Sequence, residues 1–210
     1  MRRIRAAAAH VVRTFADIIG RNRPIALLVF GLCGICIFGG GVHIAAERDL
    51  VPMGPFEPWH LQDDQGVPAR IQVGMLAVTV VALLRRTAGP HGGLLVGWAA
   101  VHAVFAIGLI TRFQDDLFDD TRVAAAAIGV VLIGAATTLI IVGRRARFTL
   151  PLGVATIATI GGGGVLDRVH WRLSTTSLEG PLNLLEGGWE LVFVGLTMLV
   201  AIDVAGHGAD

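Results

Sequence analysis

Long apolar runs separated by short polar segments dominate this 210-residue chain. About 20 apolar residues are enough to cross a bilayer as a helix, and the chain has six such runs, the second of which is short at its apolar core. We therefore expect the second helix to extend into the polar stretch before Ile71. The pattern predicts an all-α fold, a polytopic integral membrane bundle of six transmembrane helices. The runs cover 24–46, 71–84, 93–111, 123–142, 149–166 and 181–204.

The first 23 residues follow a different pattern. Apolar residues recur at helical spacing from Ile4 to Ile19, and arginines occupy another face. This predicts an N-terminal amphipathic helix lying on the membrane surface, with a basic tail that only sets topology as the alternative. The predicted organisation is a cytoplasmic segment over 1–23, a six-span domain over 24–204 and a cytoplasmic tail over 205–210.

Charge sets the expected orientation. The chain is 54% apolar and 16% charged, which excludes a soluble globular enzyme. With a cytoplasmic N-terminus, the inner segments hold eleven arginines and three aspartates, and the outer segments hold six arginines and thirteen carboxylates. Net charges of +8 inside and −7 outside follow the positive-inside rule. We expect a multi-pass protein of the cell (inner or plasma) membrane with both termini cytoplasmic. Because topology explains the arginines, no nucleic-acid partner is expected.

Potential metal ligands collect at the outer end of the first span. His43 and Glu47 are four residues apart and would share a helix face. His60 follows thirteen residues later, after Pro58, which is expected to begin the next helix. Two imidazoles and a carboxylate suit copper, zinc or iron. The alternative is that these side chains are simply hydrated among the lipid headgroups.

A weak internal repeat at an offset of 123 residues points to a second cluster of potential metal ligands. It relates candidate hairpins over 38–84 and 161–204. In the second hairpin, the potential ligands are Asp167, His170 and Asn183. The even number of crossings between the hairpins puts both on the same predicted side.

At these residues the chain resembles the C subunit of the copper membrane monooxygenases, the particulate methane and ammonia monooxygenases. That family binds copper with a carboxylate, a His four residues later, and a second His thirteen residues further in a Phe-x-Pro-x-His context. Residues 56–60, FEPWH, match the last element. Glu47 stands where the family has its first His, and His43 where it has its carboxylate. In the second hairpin, His170 matches the first His, Asn183 replaces the second, and Asp167 is adjacent to the carboxylate position.

This resemblance implies copper binding and a place in a larger monooxygenase-like complex. The expected partners are the lipid bilayer and either other membrane subunits or further copies of the chain. Two other function classes stay open. One is a structural or accessory subunit without its own chemistry, and the other is a cation or proton transporter using Glu186, Glu190 and His102. His102 is also expected to bond to a neighbouring helix or line a polar cavity.

Overall fold

A computed structural model describes residues 2–61, 66–89, 91–111, 148–173 and 178–207 of the chain. All regular secondary structure in these ranges is helical. The α-helices are α1 (Arg2–Arg21), α2 (Arg23–Glu47), α3 (Val67–Leu84), α4 (Gly92–Thr111), α5 (Thr149–Ile157), α6 (Gly163–Leu173) and α7 (Glu179–His207). A 3₁₀ helix spans Gly54–Trp59, and a π-helix, Ala158–Gly162, joins α5 to α6.

Four of these helices are long and apolar enough to cross a membrane: Arg23–Glu47, Val67–Leu84, Gly92–Ile110 and Glu179–His207. They correspond to the first, second, third and sixth predicted runs. As expected, α3 starts before Ile71, at Val67, with Pro68 in its first turn. The chain is therefore all-helical over its described residues and has apolar helices compatible with a membrane protein.

The other two predicted spans have different outcomes. The run over 123–142 lies outside the described residues. The run over 149–166 is divided among α5, the π-helix and the start of α6. Its four consecutive glycines, Gly161–Gly164, lie where the π-helix gives way to α6, and glycine favours a continued α-helix less than any residue except proline. The predicted fifth span over 149–166 is therefore not one continuous α-helix in the structure.

A tryptophan from α7 supports the π-helix. The Trp189 indole nitrogen donates a hydrogen bond to the Ala158 carbonyl oxygen at 2.7 Å. The same indole ring lies directly against Gly162, where any Cβ would collide with it. The widened turn thus gains an external donor, and the glycine leaves space for the ring that supplies it.

The core of the bundle is centred on α7. Its buried side chains include Leu191, Val194, Leu199 and Val200, and α7 packs against α1, α2, α3, α5 and α6. Glycines allow close approach along its contact with α2. A Cβ at Gly195 would lie 2.7 Å from Val29. Small residues bring apolar helices together in this way because lipid offers them no hydrophobic driving force.

Helix ends that carry arginine meet at one end of the bundle. Arg21, at the end of α1, pairs with Asp203 near the end of α7. Arg86, just after α3, donates from Nε to the Ala205 carbonyl oxygen at 2.9 Å. The ends of α1, α3 and α7 therefore lie together, and Glu47 lies at the other end of α2. We call this cluster of helix ends the arginine end.

Candidate metal centre

The end of α2 places His43 and Glu47 beside a sharp chain reversal. Asp49 adopts a left-handed backbone conformation, with φ at 58°, which aspartate tolerates better than most residues. The Asp49 and Leu50 amides donate back to the Ala46 and Ala45 carbonyl oxygens, each at 3.0 Å. This is the Schellman arrangement, which ends a helix and turns the chain. The following segment can then return toward α2.

A backbone carbonyl fixes the orientation of the His43 ring. Its Nδ1 lies 2.9 Å from the Phe56 carbonyl oxygen. Because a carbonyl oxygen only accepts, Nδ1 must carry the hydrogen of this bond. Nε2 then presents a lone pair when the ring is neutral. Ligand histidines in metal sites are oriented in the same manner, by a carbonyl bonded to the other ring nitrogen.

The lone-pair side of His43 faces a carboxylate. Nε2 lies 3.3 Å from Oε1 of Glu47, one helical turn further along α2. In a tetrahedral site with metal–ligand bonds of about 2.05 Å, neighbouring ligand atoms lie about 3.3 Å apart. The distance between His43 Nε2 and Glu47 Oε1 therefore equals the distance between two neighbouring ligand atoms of such a site.

Two apolar neighbours hold His60 beside this pair. The Trp59 ring lies against Gly39, where a Cβ would collide with it, and Leu61 packs against Gly40 and Gly187. Since Trp59 and Leu61 flank His60, their packing on α2 and α7 positions its backbone. The rings of His60 and His43 meet edge to face, with centroids 4.9 Å apart.

The expectation that Pro58 begins the next helix is wrong. Pro58 lies inside the 3₁₀ helix Gly54–Trp59, and α3 begins only at Val67. The separate 3₁₀ helix brings both the Phe56 carbonyl and the His60 ring to His43.

His43, Glu47 and His60 each offer one ligand atom, and the three atoms lie within 4.8 Å of one another. A tetrahedral ion would bring the three ligand atoms to about 3.3 Å from one another. The His43 side chain is 8% exposed and that of Glu47 47% exposed. One side of the group is therefore packed into protein, and the other is open to an ion or a further ligand.

The second predicted set is divided between two helices. Asp167 and His170 lie on α6 and Asn183 on α7. The side chains of Asp167 and His170 are outside the described part of the structure, so their use as ligands stays a prediction. The connection between α6 and α7 is residues 174–178, whereas the connection between α2 and α3 is longer and contains the 3₁₀ helix. Pro181 belongs to α7, whereas Pro58 belongs to that separate 3₁₀ helix.

A different polar group lies in the middle of the bundle. The buried His102 ring donates from Nδ1 to the Trp98 carbonyl oxygen at 2.7 Å. Its Nε2 lies 3.2 Å from Oγ1 of Thr156 on α5, beside a small cavity lined also by Thr159 and Thr197. The expectation that His102 bonds to a neighbouring helix is confirmed. The Glu190 carboxylate lies against Gly163 at the start of α6 rather than beside His102.

Two contributors to the metal centre are missing from the sequence interpretation. The first is the Phe56 carbonyl, which no side-chain pattern reveals. The second is the set of glycines, Gly39, Gly40 and Gly187, on which the neighbours of His60 pack. Small residues inside apolar helices were the available signal, because they mark sites of close approach. Comparison with known protein families, characterised proteins and solved structures finds no match for this chain.

Proposed function

We propose that this chain is an integral membrane protein that binds one transition-metal ion through His43, Glu47 and His60. The observation that carries the proposal is the pairing around His43. With Nδ1 donating to Phe56, a neutral ring turns its Nε2 lone pair toward a Glu47 oxygen 3.3 Å away. Two acceptors at that distance need a cation between them or an added proton on the ring. His60 beside them favours the cation.

Copper is the metal we propose. Imidazole suits zinc, copper and iron alike, and among divalent ions of the first row Cu²⁺ binds most tightly to a given donor set. His43 Nε2, one Glu47 oxygen and a His60 ring nitrogen would hold it. Bound copper would supply one-electron redox chemistry. The protein supplies the orientation of His43 through Phe56 and an open side at Glu47.

The proposed setting is the outer face of the cell membrane, within a copper monooxygenase-like complex. The orientation is supported by the clustering of arginine at the opposite end of the bundle from the metal centre. The place in a complex is supported only by the spacing of His43, Glu47 and His60. Light scattering of the protein extracted gently from its native membrane tests it. A protein mass that is not a whole-number multiple of the chain mass supports the complex, and a whole-number multiple contradicts it.

Metal content of the purified chain tests the binding site. The wild type, isolated through an affinity tag without histidine, is loaded separately with Cu²⁺, Zn²⁺ and Fe²⁺, and unbound metal is removed. We expect close to one copper per chain, and loss of most of it in His60→Ala and Glu47→Gln. His10→Ala and Glu57→Gln are matched controls, since both replace exposed groups of the same chemistry.

The controls should retain the metal of the wild type. Nitrogen hyperfine splitting in the copper electron paramagnetic resonance spectrum should fall on loss of His60. A wild type that binds no metal overturns the proposal. Full metal retention by His60→Ala overturns it equally.

A further inference from the structure

A groove runs along the outside of the bundle between α3 and α7, far from the metal centre. Small and branched apolar residues form its walls, and one charged residue stands at its end. Its volume is about 750 Å³, counting the part open to the surroundings. The lining residues are Ala77, Val78, Val81, Ala82 and Arg85 of α3 and its end, with Ile202 and Ala205 of α7.

The groove matches one leaflet of a bilayer in length. From Ala77 to Arg85 it follows eight residues of helix, or about 12 Å at 1.5 Å per residue. Half of a hydrocarbon core of about 30 Å is about 15 Å. Ala77 lies just past the middle of α3, and Arg85 caps its end. The groove thus extends from the middle of the membrane-spanning length to the headgroup level at the arginine end.

The walls of the groove are apolar and outward-facing. Val78 is 44% exposed and Val81 52% exposed. Such surface on a helix of this hydropathy is suited to hydrocarbon. An acyl chain is the occupant whose shape and chemistry fit an elongated apolar groove that opens sideways.

The mouth of the groove is basic. Arg85 is exposed there, and Arg86, next in the chain, is held nearby by its hydrogen bond to the Ala205 carbonyl oxygen. Asp203, the carboxylate closest in sequence to the α7 wall residues, already pairs with Arg21 and Asn22. Basic pockets between membrane helices at this level bind anionic headgroups.

We propose that this groove is a binding site for one anionic phospholipid, with an acyl chain between α3 and α7 and the phosphate on Arg85. The site is independent of the metal centre. Its function is to select an anionic lipid at the arginine end and to seal the contact between α3 and α7.

Native mass spectrometry of the full chain in detergent tests the lipid site. The probes are phosphatidylglycerol and phosphatidylcholine with identical acyl chains, which differ only in the headgroup. Since one basic contact near a membrane surface is worth about a fivefold change in affinity, we expect the wild type to retain phosphatidylglycerol about fivefold better. Arg85→Gln should reduce that ratio to near one. Arg70→Gln is the matched control, because Arg70 is exposed on the same helix at its opposite end.

A second variant tests the apolar part of the site. Ala77→Phe fills the groove from an exposed position and should lower retention of both lipids while the thermal unfolding temperature stays near that of the wild type. The proposal is overturned by a wild type without headgroup preference, or by Arg85→Gln that keeps the preference. It is also overturned when Arg70→Gln loses the preference to the same extent, or when a folded Ala77→Phe protein binds both lipids unchanged.

Discussion

Arg21 and Asp203 form a two-point ion pair between residues 182 positions apart in the chain. Nε of Arg21 lies 3.0 Å from Oδ1, and Nη2 lies 2.7 Å from Oδ2. Asn22 adds a third donor, with Nδ2 at 2.8 Å from Oδ1. The hydrogen bond to Asp203 raises the pKa of Arg21 above its ordinary value. The end of α1 is thereby tied to the last turns of α7.

Asp203→Asn should destabilise the protein by removing the negative charge that the Arg21 guanidinium and the Asn22 amide both face. The Asp203 side chain is 12% exposed and that of Arg21 47% exposed. The loss should therefore lie between that of a surface and a buried pair, at about 1–2 kcal/mol. Thermal unfolding in detergent measures it. Arg13→Gln is the control, because Arg13 is exposed and, in the part of the chain that the structure describes, donates to the Ala9 carbonyl of its own helix. Equal unfolding temperatures for Asp203→Asn and the wild type would contradict the role of this pair.

Trp189 and Trp98 together offer a test of the π-helix. Trp189→Phe removes the hydrogen bond to Ala158, worth about 1 kcal/mol net. Trp98→Phe removes an indole nitrogen that is buried and has no hydrogen-bond partner among the described residues. Its loss relieves an unsatisfied donor, so the same substitution should cost less there. Trp189→Phe is expected to have the lower unfolding temperature, and the reverse order would argue against the indole supporting the widened turn.

Thr156 and Thr159 provide a matched pair for the contact with His102. Both hydroxyls lie 2.9 Å from the carbonyl oxygen four residues earlier in the chain. A hydroxyl has one hydrogen, so Thr156 donates it either to this carbonyl or to the His102 ring. Thr156 also contacts His102 Nε2 across the interface between α4 and α5. Thr156→Val should therefore cost more than Thr159→Val by about 0.6 kcal/mol, the mean of such contacts in membrane bundles. The difference should vanish when both variants are made in a His102→Leu background. If Thr156→Val still costs more than Thr159→Val in the His102→Leu background, the extra cost does not come from the contact with His102.

Periodicity and hydropathy predicted the parts of this fold that depend on local composition. Helix α2 and its end near Glu47 follow from a long apolar run, and the His43 to Glu47 spacing on one helix face needs only the helical repeat. The proximity of His60 was predicted too, although through the wrong element. Pro58 fits a helix start as well as a 3₁₀ turn, and only packing against α2 decides between them.

Features that depend on distant contacts were not predictable from the sequence. The widened turn in Ala158–Gly162 depends on an indole 31 residues away in the chain. The pairing of Arg21 with Asp203 joins the first helix to the last. Neither the charge count nor the hydropathy of either segment contains this information, because both residues were already explained by topology.

Packing on α7 should control the metal centre through Leu61. A Cβ at Gly187 would lie 2.7 Å from the Leu61 Cβ and 3.4 Å from its carbonyl oxygen, so neither neighbour can avoid it by a simple rotation. Gly187→Ala should displace Leu61 and with it the adjacent His60. Overpacking of this kind costs about 1–3 kcal/mol, and loss of ligand orientation should weaken copper binding at least about tenfold. Thermal unfolding and copper titration measure the two effects.

Gly188→Ala is the control for this prediction, because a Cβ there would lie 3.4 Å from Ile37, an ordinary contact. It should leave both stability and copper affinity close to the wild type. Thermal unfolding reports on the packing of Leu61 against α7, and copper titration reports on the metal centre. If Gly187→Ala is less stable than the wild type and the wild type binds no copper, the contact of Leu61 with α7 is supported and the metal centre is refuted. Unchanged copper affinity in a destabilised Gly187→Ala protein would show that His60 is held by Trp59 on Gly39, independently of α7.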